Sequence, residues 1–471
     1  MRRLADPRVA LGVAVVVGLA VRLVRVAEAP LVHPDSPAYL ALAQAVRAGE
    51  WGRVLGGYYS PLYPVLIAPV AALGVPLELA GRLVATIAGV AALPLVLALA
   101  RAIAGETPAA AAVLLAALSP ALVKASAQVL PETLAGALLL GWGLVFARAT
   151  RLRAYAAAAA LAGTTYLARP EGVLLGILGV GWALWRRRPA AAAASIAVTL
   201  VVMAPALLAL HERTGRWQLS LREAALVERA GIAHQTSLAG AALHRPGAFA
   251  ARWAGGAAWQ TWNTLVALGP VTAPLAFVGL GTTAPAWPLG VSAAFVAGPL
   301  ALDPSPRYAV PILPLLLPWA GAGLVAVTRR LRGAAVPAIA AAALVLVVQC
   351  VWKGKAFDEA CSREVGALVF DRYGPGVRLV AVDGRFAYVA RGEAIVPKST
   401  DPHVALALAR RRAARLWLTR RQWLGAGFAP PADVHEVARP CHGAFVLYEL
   451  DESTAGARAA EGQGAPRSAP R

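Results

Sequence analysis

Charge is scarce in this chain. Only 15% of its 471 residues are Asp, Glu, Lys or Arg, while 58% are hydrophobic and the mean hydropathy is +0.60. A soluble domain of this length could not keep so much apolar surface out of water, so the composition indicates an all-α polytopic membrane protein for most of the length. Cysteine is nearly missing as well. Cys350, Cys361 and Cys441 form no C-x-x-C pair, which argues against structural zinc and iron–sulfur clusters. There is no G-x-x-x-x-G-K-[ST] loop and no strand-bound G-x-G-x-x-G, so nothing marks a nucleotide site. Internal repeats, common in transporters, are also absent. The start, MRRLADPRVALGVAVVVGLAVRLVRV, lacks a clear small-residue cleavage site and is expected to stay as a first span.

What is present is basic residues, arranged in bursts. The net charge of +20 does not gather into a nucleic-acid-binding patch; it is divided among short clusters between apolar segments. A span needs about 20 mostly apolar residues. That criterion predicts about eleven transmembrane helices, near 9–27, 79–101, 108–124, 131–149, 153–168, 171–186, 190–210, 263–281, 285–302, 308–327 and 334–352. The stretch 61–76 is apolar but interrupted by four prolines, and is expected to lie at the interface or lead into the next span. With 61–76 left out, Arg2/Arg3, Arg148/Arg151/Arg153, Arg186/Arg187/Arg188 and Arg329/Arg330/Arg332 all fall on the cytoplasmic side. The loop 211–262 then faces outward despite its arginines, and its amphipathic stretches AALVERAGIA and FAARWAGGAAWQTW suggest a surface-lying subdomain.

After residue 352 the pattern changes. VRLVAVDG, RLWLTRRQW, VHEVAR and AFVLYEL read as strands, and CSREVGALVFDRYG and DPHVALALARRRAA as helices. A small extracytoplasmic α/β domain over 353–452 is expected, in which Cys361 and Cys441 could pair. Residues 453–471 are low in complexity and read as a disordered tail.

On this topology four polar constellations share the outer face: His33-Pro34-Asp35 with Tyr39; Gln128 with Pro131-Glu132; Arg169-Pro170-Glu171-Gly172; and Asp303 with Arg307-Tyr308. Each alone could be a plain helix-end anchor. Four on one face, two acidic and two centred on arginine, point to a site. Outward arginines suit a phosphate leaving group, and an outward carboxylate suits proton removal from an attacking nucleophile. With no nucleotide available outside the cell, an activated donor has to be carried by a lipid.

The order D-x-x-x-Y after the first helix, Y-x-P-L-Y-P, P-E, A-R-P-E-G and R-Y-x-x-P-x-x-P resembles bacterial polyprenyl-phosphate-sugar-dependent glycosyltransferases of GT-C fold, in the protein O-mannosyltransferase and aminoarabinose-transferase superfamily. The resemblance covers roughly 9–352. It implies a multi-pass protein of the bacterial inner membrane with a cytoplasmic N-terminus, a polyprenyl-phosphate sugar donor, an acceptor that is a glycan, lipid or protein, and an inverting outcome. It assigns Asp35 as general base, Glu132 to the acceptor or to a divalent metal ion, and Arg169 and Arg307 to the donor phosphate. Glu171 lies beside Arg169 in the same motif, and Tyr59, Tyr63 and Tyr308 would shape the pocket. Residues 33–76 would supply two interfacial helices. The chain departs from many relatives in having Asp35-Ser36 where two acids are usual; His33 is then either a metal ligand or a hydrogen-bonding loop residue. Arg22 lies inside the first span, at a cost of roughly 2.5–3.5 kcal/mol at the bilayer centre, and is expected to snorkel outward. Trp253, Trp259 and Trp262 read as an interfacial belt. The rival readings are a transporter or flippase of lipid-linked sugars, and a surface-polysaccharide polymerase or ligase.

Overall fold

The structure, a computed structural model, describes residues 6–28, 33–222, 226–227, 238–282, 287–331, 334–351, 357–397, 399–425 and 427–451. The expected tail at 453–471 and most of AALVERAGIA lie outside the described residues. By packing, the chain divides into two units, Met1–Ala29 with Tyr39–Trp352, and Pro30–Ala38 with Lys353–Arg471. The opening loop with His33 and Asp35 therefore groups with the C-terminal unit, whereas the sequence had assigned it to the transmembrane part.

The first unit is helical. Among the described residues four helices are long and apolar enough to cross a membrane: Pro7–Ala27, Leu77–Ala104, Pro189–Thr214 and Pro246–Leu280. A fifth span is possible from Glu106–Ala117 and Pro120–Ser126, which meet at a 51° bend. Glu132–Ala147, Trp287–Val296 and Ala335–Val351 are apolar but shorter. Two of the expected spans contain breaks. In 108–124, the residue before Pro120 is held out of the helical region, so the helix stops at Ala117 and restarts. In 285–302 the helix ends at Val296 and a 3-10 turn follows at Pro299–Leu302. Residues 33–76 hold three helices, Ser36–Arg47, Trp51–Leu55 and Leu62–Ala72.

FAARWAGGAAWQTW lies in the first part of Pro246–Leu280, before the kink at a non-helical Gly269 (φ 84°) and Pro270 that divides this segment into two helices, and most of its residues are exposed. Only glycine adopts that φ without strain, so the chain can bend there and go on. Trp253 ties this part down by donating from Nε1 to the Ala297 carbonyl at 2.7 Å. Arg22 does not snorkel. It is fully buried and donates to Ser126 Oγ (3.1 Å), Gly18 O (3.0 Å) and Ala117 O (3.1 Å). The helix break after Ala117 leaves carbonyls without intrahelical donors, and the guanidinium takes one of them.

Small residues let the backbones approach. A Cβ on Gly279 would meet the Trp319 carbonyl oxygen at 1.8 Å, and one on Gly323 would meet the Leu275 oxygen at the same distance. This is the close helix contact that membrane interiors favour, between Pro246–Leu280 and Leu313–Leu331. Gly279→Val should therefore cost at least the ~1–3 kcal/mol typical of overpacking, seen as a lowered melting temperature of the detergent-purified protein.

The second unit carries a five-stranded sheet of order β2-β1-β3-β5-β4, with β1 Arg378–Val380, β2 Glu393–Ile395, β3 Leu416–Arg420, β4 Val434–Ala438 and β5 Phe445–Leu450. β1 pairs parallel with β2 and β3; β5 runs antiparallel to β3 and β4. The alternation of β3 and β5 buries residues on both faces, one against the helix Phe357–Tyr373 and the other against Pro402–Arg411. Four strands and both helices lie where the sequence pattern put them. Cys361 and Cys441 are disulfide-bonded, with Cα atoms 5.4 Å apart.

Candidate active site

Three of the four polar constellations meet inside the first unit. The A-R-P-E-G motif shows how. Arg169 is extended (φ −153°, ψ 133°), the backbone a residue before proline prefers. That breaks the helix Leu152–Ala168, and a 3-10 turn at Pro170–Gly172 follows. A Cβ on Gly172 would lie 2.2 Å from the Tyr166 nitrogen, so only glycine closes the turn. Arg169 and Glu171 are thereby both turned inward and buried.

Arg169 bridges two carboxylates. Its Nη1 donates to Glu132 Oε1 at 2.9 Å and its Nε to Glu171 Oε2 at 3.0 Å. Glu132 opens the helix Glu132–Ala147, where a carboxylate is favoured by the helix dipole. Glu171 also faces Arg222 Nη1 at 3.7 Å. Arg222 Nη2 donates to the Tyr308 hydroxyl at 3.0 Å, and Arg307 Nη2 does so at 3.2 Å. The guanidinium carbons of Arg169, Arg222 and Arg307 lie 5.1, 5.6 and 4.9 Å from the centre of the Tyr308 ring. Three cations thus surround one aromatic ring, with Glu132 and Glu171 held against Arg169. Burial works against the charge of Arg222, but Glu171, together with Tyr308, Tyr39 and Tyr58, more than offsets this and holds its pKa above the ordinary value.

Arg222 was read from the sequence only as one of several loop charges, and no spacing distinguishes it from its neighbours. Gln260 was missed altogether. Buried on Pro246–Leu280, it accepts the Ser305 N–H through Oε1 at 2.9 Å and so fixes the turn that presents Arg307-Tyr308. A glutamine inside an apolar run was the available signal.

The tyrosines divide by role. Tyr63 is fully buried and donates to the Gly81 carbonyl at 2.8 Å, tying Leu62–Ala72 to Leu77–Ala104. Tyr59 packs edge-on against Tyr39, with ring centres 4.9 Å apart. Glu132 lines a 20 Å³ cavity with Arg22, Ser126 and Thr133, room for a single water. Its Oε2 has no hydrogen-bond partner among the described residues.

In the C-terminal unit, Asp35 sits in the turn that begins the helix Ser36–Arg47 and is half-buried. Its backbone N–H donates to His33 Nδ1 at 3.2 Å, and the two side chains are 4.0 Å apart. His33 Nδ1 is thus used within its own loop, as a hydrogen-bonding loop residue would be. Among the described residues no three His, Cys, Asp or Glu side chains gather, and Glu132 Oε1 is held by Arg169. The site residues of the first unit do not make a donor set for a divalent ion.

Residues 59–210, which hold Tyr59, Tyr63, Glu132, Arg169 and Glu171, match the family model for dolichyl-phosphate-mannose-protein mannosyltransferases. No curated protein sequence matches the chain. Among solved structures it is similar to ArnT from Cupriavidus metallidurans in the apo state, with a TM-score of 0.56 at 16% identity, over 94% of this chain and 98% of that one. The same protein bound to undecaprenyl phosphate gives a TM-score of 0.54 at 16% identity, over 95% and 98%. The Archaeoglobus fulgidus oligosaccharyltransferase in complex with Zn and sulfate gives 0.51 at 13% identity, over 87% and 68%. The resemblance carried by the ordered motifs is borne out: the chain has the GT-C fold of these glycosyltransferases over nearly its whole length.

Proposed function

We propose that the chain is a membrane glycosyltransferase that moves a sugar from a polyprenyl-phosphate donor to an acceptor on the extracytoplasmic face of the bacterial inner membrane. The observation that carries this reading is the arginine cluster around Tyr308 in a fold whose relative binds undecaprenyl phosphate. The disulfide of the C-terminal unit supports an oxidising location for that unit.

In the proposed reaction an acceptor hydroxyl or amine attacks the anomeric carbon. The bond from that carbon to the phosphate oxygen breaks, its electrons stay on the oxygen, and polyprenyl phosphate leaves with one more negative charge. Asp35 takes the acceptor proton. Attack opposite the leaving phosphate inverts the anomeric configuration. Arg222 and Arg307 carry the phosphate, because both are only partly buried and bring positive charge that Glu132 does not neutralise. Cations already in place around the oxygen where charge develops are a protein's strongest means of lowering such a barrier. Arg169, neutralised by Glu132 and Glu171, is a positioning residue that holds Glu171 for Arg222 and stacks on Tyr308.

The test is transfer in proteoliposomes from a polyprenyl-phosphate sugar. Arg307→Ala should raise the donor KM by about tenfold or more, the loss of one charge-assisted contact of about 1.5–3 kcal/mol, with the acceptor KM unchanged. If the wild-type chain leaves the donor uncleaved yet moves it across the bilayer, the flippase reading replaces this one.

A further inference from the structure

The C-terminal unit carries a cleft of 640 Å³ that the proposed reaction does not use, lined by Arg420, Arg421, Gln422, Gly425 and Gly443. We propose that it binds an anionic sugar, a uronate or a sugar phosphate.

Its size falls within the range of about 300–1,000 Å³ usual for small-molecule sites. Arg420 ends β3 and Arg421 opens the 3-10 turn Arg421–Trp423, and their guanidinium groups suit a carboxylate or phosphate. Arg420 is held between two rings, its guanidinium carbon 5.4 Å from the centre of Phe445 and 5.8 Å from that of Trp423. Arg421 is exposed; its backbone N–H donates to the Ala444 carbonyl at 2.9 Å, which joins the arginine pair to the facing turn. Glu436, the carboxylate that interacts with Arg421 electrostatically, is already committed to Arg439 at 2.6 and 3.0 Å.

The facing turn is built at a cost. Cys441 (φ 59°), His442 (φ 56°) and Gly443 (φ 79°) are successively left-handed. Two non-glycine residues in that region store strain of order 1–3 kcal/mol each, a feature concentrated at binding sites. The turn is also fixed from behind. Cys441 is disulfide-bonded to Cys361, and its N–H donates to Glu364 Oε1 at 2.8 Å. A strained, doubly anchored wall opposite paired arginines, with an amide and glycine backbone between them, is a preformed site for a hydroxylated anion. Gln422 offers hydrogen bonds to hydroxyls, which an acyl chain would not use, and Gly425 and Gly443, where a Cβ would meet nothing, leave room beside it.

The experiment is equilibrium binding of fluorescein-labelled trigalacturonate to the full chain in detergent at low salt, with labelled maltotriose as the neutral control. Saturable binding of the acidic probe alone is expected, weakened at least tenfold in Arg421→Glu and about threefold in Gln422→Ala, both exposed positions whose exchange leaves the fold intact. Unlabelled galacturonate and glucose 6-phosphate compete, and their ranking tells carboxylate from phosphate. Equal binding of maltotriose, no competition by either anion, or an unchanged Kd in Arg421→Glu would overturn the proposal. Binding is read without any sugar transfer, so the result stands apart from the donor chemistry.

Discussion

Arg169→Met should destabilise the first unit by about 3–5 kcal/mol, the usual penalty for removing one partner of a buried ion pair, and should reduce transfer to background. The side chain keeps its volume but leaves Glu132 and Glu171 buried side by side without the cation that both touch. Two consequences separate this from a simple packing defect. Adding Glu132→Gln to Arg169→Met should recover part of the melting temperature, because one of the stranded charges is gone. Arg169→Lys should keep more stability than Met but not the activity, since an ammonium cannot serve two carboxylates and lie flat against Tyr308 as the planar fork does. Thermal unfolding in detergent checks the first claim and proteoliposome transfer the second. An unchanged melting temperature in Arg169→Met would show that the bridge carries no weight.

Asp35→Asn should lower kcat by about 10²–10⁴, the range that general-base catalysis contributes, with little change in the donor KM or in stability. The backbone N–H of Asp35 donates to His33 Nδ1, a contact that asparagine retains. A fall in kcat with KM preserved is the signature of a group needed in the transition state and not in binding. Asp35→Glu, which keeps the base but moves it outward, should retain more activity than Asn. A kcat within threefold of wild type in Asp35→Asn would remove Asp35 from the chemistry.

These residues were legible because their motifs are local. Arg-Pro-Glu-Gly fixes its own turn through the pre-proline backbone and a glycine that nothing else can replace, so Arg169 and Glu171 are turned inward by four letters of sequence. Arg307-Tyr308 and Glu132 were found the same way, and all meet around one ring. Arg222 was not legible, because its partners Glu171 and Tyr308 are 51 and 86 residues away and a loop arginine has no spacing to betray it. The buried fate of Arg22 depends on carbonyls freed by a helix break some 95 residues on, before Pro120. Helical periodicity found the apolar segments but not the breaks inside them, for a related reason. It sees apolar length, whereas Pro120 and the 3-10 turns after Val296 interrupt helices without making the sequence less apolar. In the sheet, β2 is three residues long and too short to show alternation, while β3 and β5 were plain.

The donor is the centre of the account, and one comparison tests it. The host bearing Asp35→Asn at the native locus, with membrane levels of the protein matched to wild type, is extracted for lipids and analysed by mass spectrometry. The account predicts that a polyprenyl-phosphate sugar accumulates in the mutant alone, its mass identifying the sugar that is transferred. Identical lipid and glycan profiles in the two strains would contradict it.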